Sequence, residues 1–180
     1  MRLYQQTKPL FILTTALLTT SCAQFNTLEP LSNQEACNRL QAIITDHSEN
    51  FSHHRKNKRT LKSLNVWTGT KVFPIADRCE VWEWSTGLYS YICHWKSKDG
   101  MEAAKTDYTE GKDIISSCLS EDWQARSKTT QNGGEYTLFS NAQTKTVVEM
   151  RYFKTARSIV KHWNTTVIIS DKNNLKAKLQ

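Results

Sequence analysis

The sequence predicts an α+β fold: an antiparallel β-sheet built of meanders, with two α-helices packed on one face and disulfides stapling the layers. Three observations lead there. Two stretches repeat apolar residues at the spacing of an α-helix, and each is followed by short runs rich in aromatic and β-branched residues. Glycine-containing turns separate two pairs of these runs, at Gly87 and at Gly133-Gly134, as tight antiparallel connections favour. Four cysteines, Cys37, Cys79, Cys93 and Cys118, fall inside these elements. The expected order is α-βββ-α-βββ, with room for a fourth strand at the end.

The first segment is an address rather than part of the fold. Arg2 and Lys8 bracket a start without acids, and Pro9 to Leu18 form a short apolar core. A permanent bilayer span needs about 20 apolar residues, so this core is too short. A basic start, a short apolar core and small residues before a cut are the marks of a secretory signal. Thr19, Thr20, Ser21 and Cys22 resemble the lipobox of bacterial lipoprotein precursors, departing from it at Thr19, where Leu is usual. The resemblance implies cleavage before Cys22, acylation of that cysteine, and a place on the periplasmic face of the outer membrane. Cleavage after Ala23 at Ser21-Cys22-Ala23 is the alternative, leaving a soluble periplasmic or secreted protein. Residues 1–21 are thus expected to be a signal peptide, 22–31 a lipid-anchored tether, 32–171 one domain and 172–180 a polar tail. No other lipid site, cofactor or metal is implied.

Ser32-Asn33-Gln34-Glu35 reads as a capping box, opening a helix from Asn33 to about Ser52 with Ala36, Cys37, Leu40, Ile43, Ile44, His47 and Phe51 on one stripe. Residues 53–59, His-His-Arg-Lys-Asn-Lys-Arg, have no apolar face and read as an exposed loop. Strands are expected at Lys71–Ile75, Cys79–Trp84 and Leu88–Trp95. If Ser85-Thr86-Gly87 is a three-residue loop with Gly87 left-handed, residues whose numbers sum to 172 face each other. Cys79 then lies opposite Cys93 at a non-hydrogen-bonded site, within reach of a disulfide. A two-residue loop would break that pairing and leave the other connectivities open. A second helix spans Met101 to Leu119, burying Ala104, Tyr108, Ile115, Cys118 and Leu119 and containing Gly111. Cys37 and Cys118 both sit on inward stripes and would tie the helices together. Strands Gln124–Thr130 and Glu135–Ser140 flank Asn132-Gly133-Gly134, followed by Thr146–Phe153 and Trp163–Ser170. Element order and size resemble the mixed α/β fold of small secretion chaperones and of several envelope inhibitor proteins.

Chemistry is harder to find. Neither a C-x-x-C motif nor zinc-like Cys/His spacing occurs, and four cysteines in an exported domain suggest two bridges. Bridging removes the thiolate that a Cys93–His94 nucleophile pair would need. His53 and His54 lie among positive charges that repel a metal ion. The chain has six glycines, in no phosphate-cradling arrangement, and no G-x-S-x-G elbow. Catalytic residues are therefore not expected.

Removing Arg2 and Lys8 leaves 22 basic against 17 acidic side chains, a net of +5 that favours an acidic partner or anionic headgroups. Export argues against nucleic acid. If helices cover the face of Trp82, Trp84, Leu88 and Ile92, the other face exposes Tyr89, Tyr91 and Trp95, beside Glu83 and Lys96, as a row that grips protein or a sugar ring; the competing reading buries both faces, the second under the tail or a second copy. Arg55, Lys56, Lys58 and Arg59 form the second candidate contact. The expected function is a non-enzymatic envelope lipoprotein that binds another envelope protein, as assembly factors and immunity-type inhibitors do. A glycan- or peptidoglycan-binding module is the rival, and a periplasmic hydrolase the third reading.

Overall fold

The computed structural model describes residues 32–61, 64–70, 76–95, 100–155 and 162–176. The expected signal peptide, Cys22, the expected tether and the strand expected at Lys71–Ile75 lie outside the described residues.

Ser32 opens α1 (Asn33–Asp46), its hydroxyl accepting the Glu35 amide at 3.2 Å. The capping box is only half used, because the Glu35 carboxylate turns to Arg39 one turn on. The helix also stops sooner than its stripe implies. Asn50 and Phe51 both adopt left-handed backbone, at φ 57° and 59°, which reverses the chain. The reversal drops Phe51 into the core, where it is fully buried.

Eight strands follow: β1 (Arg55–Leu61), β2 (Leu64–Gly69), β3 (Arg78–Glu83), β4 (Tyr89–His94), β5 (Trp123–Thr129), β6 (Glu135–Asn141), β7 (Thr146–Lys154) and β8 (Trp163–Asp171). Helix α2 (Met101–Cys118) separates the two sets of four, and a short α3 (Lys172–Lys176) follows the last. All neighbours pair antiparallel in the order β1-β2-β3-β4-β8-β7-β6-β5. Each half is therefore a helix followed by a four-stranded meander, and the halves meet where β4 pairs with β8.

Burial explains that order. In the middle of the sheet β8 is buried at every position but Asn164 and β4 at every position but its two ends, whereas β1 and β5 expose all but their first residue. Strands as polar as these serve as edges because little is lost by leaving them wet.

Gly87, at φ 77°, closes the β3–β4 hairpin, and the register is the one in which numbers sum to 172. Cys79 and Cys93 are bridged there with Cα atoms 4.0 Å apart, and Cys37–Cys118 links α1 to α2.

Three expectations need correction. Residues 53–59 are not a loop: Ser52–His54 form a 3-10 turn and Arg55–Leu61 a strand. A strand wet on both faces shows no alternation, so its pattern is invisible to periodicity. Strand β2 has no counterpart among the expected elements, although Leu64-Asn65-Val66-Trp67-Thr68 has the composition of a strand. The expected polar tail begins instead as a helix, Lys172–Lys176, in which Asn174 hydrogen-bonds both Ser90 (3.0 Å) and Ser170 (3.2 Å).

The main core joins Leu40 and Ile43 of α1 and Ala104, Tyr108 and Ile115 of α2 to Val81, Tyr91, Val148, Met150, Val167 and Ile169 of the sheet. On the opposite face Ile92, Val147 and Ile168 form a smaller cluster, roofed by Trp82, Trp84 and Leu138.

Candidate functional site

The expected row of exposed aromatics does not exist. Tyr91 is fully buried and Trp95 is 5% exposed, both inside the main core. The helices lie over the face carrying Val81, Tyr91 and Cys93, the reverse of the expectation. Both faces of this hairpin are apolar, so alternation alone cannot say which one a helix will cover. Burial raises the Tyr91 hydroxyl well above its ordinary pKa, and its oxygen has no hydrogen-bond partner among the described residues.

Tyr89 is different. It sits near the loop end of β4, half-buried, where it meets the other expected group, the cations of β1. Its ring lies 6.0 Å from that of Trp67 on β2. The Arg55 guanidinium stands 4.8 Å from the Trp67 centroid and 5.4 Å from that of Tyr89, and Lys58 Nζ lies 5.2 Å from Trp67. Cation–π contacts of this kind are worth about 0.5–1 kcal/mol at exposed sites. More usefully, they hold two long basic side chains in place.

Beneath the ladder, Glu83 accepts from Asn65 Nδ2 at 2.8 Å and places its negative charge near the Tyr89 hydroxyl. Burial first, then this carboxylate, raises the Tyr89 pKa, while Arg55 opposes the rise. The result is a rim at one corner of the sheet formed by Arg55, Lys58, Asn65, Trp67, Glu83 and Tyr89.

The remaining expected contacts go elsewhere. Lys56 is exposed near the irregularity that interrupts β1–β2 pairing between Arg55 and Lys58. Arg59 points to the other face, where it binds the buried carboxylate of Glu80. Glu80 also accepts from Trp82 Nε1 at 2.9 Å and lies 3.6 Å from Arg78 and 3.8 Å from His94 Nε2. Burial, then the Arg78 charge, lowers the His94 pKa. Arg59 is thus a structural counter-ion.

The other histidines are likewise engaged. His53 and His54 turn their Nδ1 atoms to Asp46, at 2.7 and 2.8 Å. Burial alone would raise the Asp46 carboxyl, but these hydrogen bonds bring it below its ordinary value. Among the described residues no group of three or more His, Cys, Asp or Glu side chains is placed to hold a metal. His47 Nδ1 meets the Thr146 hydroxyl at 2.7 Å in a cleft of 570 Å³ that Tyr89, Thr144 and Asp171 also line. Thr144 donates to the same hydroxyl at 3.1 Å. These bonds anchor the end of α1 to β7 and bring its polar groups to the Tyr89 side of the rim.

No protein-family model, curated protein or solved structure matches this chain. The rim is therefore read from its own chemistry. Sequence reasoning found Arg55, Lys58, Tyr89 and the neighbouring Glu83 but missed Trp67 and Asn65. Recognising β2 as a strand would have put Trp67 beside Lys58.

Proposed function

We propose that this chain is an exported bacterial lipoprotein, acylated at Cys22, whose α+β domain is non-enzymatic and binds an acidic segment of another envelope protein. What carries the reading is the seating of Arg55 and Lys58 against Trp67 and Tyr89 along a solvent-exposed edge strand. Cations held on aromatic rings lose less freedom when they meet a carboxylate than free surface lysines do, so a fixed acidic partner gains affinity. The same seating disfavours the sugar-binding rival. A saccharide stacks on an open ring face, and the cations already lie against Trp67. The signal-like N-terminus and the paired cysteines support the envelope address.

A photo-crosslinking residue at Asn57, beside the rim, tests the partner reading in intact cells. One acidic envelope protein should be captured, and Arg55→Glu/Lys58→Glu should abolish the adduct. An adduct that survives the double charge reversal overturns the reading. Cys22→Ala should shift the protein from the membrane to the soluble fraction. Retention on the membrane refutes the anchor.

A further inference from the structure

The rim belongs to a strand whose outer side is unpaired, and the register shows which backbone groups face outward. The Trp84 amide donates to the Leu88 carbonyl at 2.9 Å. Mutual hydrogen bonds along β3–β4 therefore recur at alternate positions, at Trp82–Ser90 and Glu80–Ile92. The intervening residues Val81 and Glu83 turn their backbone groups to β2, opposite Trp67 and Asn65. Val66 and Leu64 of β2 in turn face β1, opposite Arg59 and Leu61. By the same alternation Lys58 and Thr60 point their N–H and C=O groups away from the sheet. No strand among the described residues lies on that side, and both residues are exposed.

We propose, resting on the protein-binding reading above, that the partner's acidic segment binds as a ninth, extended strand hydrogen-bonded to Lys58 and Thr60. Charge selects the occupant. Arg55, Lys56 and Lys58 repel a second copy of the same edge and deter apolar strands, the usual role of basic residues on a free edge. A segment with a carboxylate at every second position meets no such barrier. Its acidic side chains fall on the face of the cation–aromatic ladder, while its main chain completes the edge. Arg59, committed to Glu80 on the far face, leaves the opposite side of the added strand free of excess charge.

The test uses the full-length protein with both disulfides intact and a fluorescein-labelled peptide of about six residues alternating Glu and Val, strand length for a globular protein. Thr60→Pro removes one outward N–H, keeps every charge and leaves the β1–β2 hydrogen bonds in place. It should weaken binding about tenfold, the scale of one or two lost backbone hydrogen bonds, while Thr60→Val binds like the parent. A peptide N-methylated at alternate residues should lose affinity for the unaltered protein to a similar degree, which keeps the test valid if Thr60→Pro fails to fold. Lys58→Glu should also weaken binding. If Lys58→Glu weakens binding but Thr60→Pro and N-methylation do not, the strand addition is wrong and the acidic contact stands. If none of the changes matters, both fail. Concentration-dependent dimerisation abolished by Thr60→Pro would make a second copy the occupant and overturn the proposal. So would anionic vesicles displacing the peptide while binding Thr60→Pro as well as the parent.

Discussion

Substituting Gly111 tests how α2 is seated on the sheet. In an exposed helix interior, Gly→Ala stabilises by about 1 kcal/mol, because alanine has less backbone entropy to lose. Here the new Cβ would overlap the terminal methyl of Met150 on β7, stand 3.2 Å from its Sδ and 3.7 Å from the Trp95 ring. Met150 is fully buried, so its methyl has little space into which to retreat. Overpacking a full core costs about 1–3 kcal/mol, which cancels or exceeds the propensity gain. Gly111→Ala should therefore leave stability unchanged or lower it by up to about 2 kcal/mol. Met150→Ala alone should cost about 2–5 kcal/mol through the cavity it leaves. In that background the methyl added by Gly111→Ala enters the vacated space, and the substitution should recover about 1 kcal/mol. Urea unfolding followed by far-UV circular dichroism gives the four stabilities of the cycle, and a constant m-value certifies that the states compared are alike. The expected coupling is about 1–3 kcal/mol, as for side chains in direct contact. If Gly111→Ala stabilises equally in both backgrounds, the coupling is zero and α2 does not rest on Met150.

Replacing Cys37 and Cys118 together by alanine opens a loop spanning 81 residues and should cost about 4.5 kcal/mol of unfolding free energy, measured by urea titration. A loss under about 1 kcal/mol would mean that the unfolded chain is not held by this bridge. Ser90→Ala strips a buried hydroxyl that accepts from Trp84 Nε1 and Asn174 Nδ2, and should cost about 1–3 kcal/mol with increased amide exchange in α3. Unchanged exchange in α3 would refute the link between Asn174 and the sheet. Acidification should destabilise the fold. Burial holds the pKa values of both His47 and His94 below 6.5, so the unfolded chain takes up more protons once pH drops through that value. The Asp46 carboxylate adds a further loss below pH 3.8, whereas His53, raised by its hydrogen bond to Asp46 but fully exposed, opposes the trend only weakly near pH 6.5. Thermal melts across this range should show the melting temperature falling with pH. A plateau from neutrality to pH 5 in the parent, unaltered by His47→Gln or His94→Gln, would contradict the burial of both rings.

Wherever one face of an element is dry and the other wet, the sequence determines the outcome. The buried positions of α2 follow from the 3.6-residue period of Ala104, Tyr108 and Ile115. Gly87 sets the β3–β4 register through local backbone geometry, and with it which residues oppose one another across the hairpin. Two kinds of information were not local. Strand β1 owes its existence to backbone pairing with β2, which leaves no trace in a strand hydrated on both sides. The choice of face on β3–β4 was also beyond the pattern, since Tyr91 and Trp95 on one side and Trp82, Trp84 and Ile92 on the other are equally fit for burial. Only the placement of α1 and α2, with Phe51 turned inward by two left-handed residues, decided it. That choice buried two of the three aromatics expected at the surface. It left Tyr89 at the corner, where chain segments far apart in sequence bring Arg55, Lys58 and Trp67 together. A hydrophobic period reports how much of an element must be dry, but which neighbour dries it depends on long-range packing.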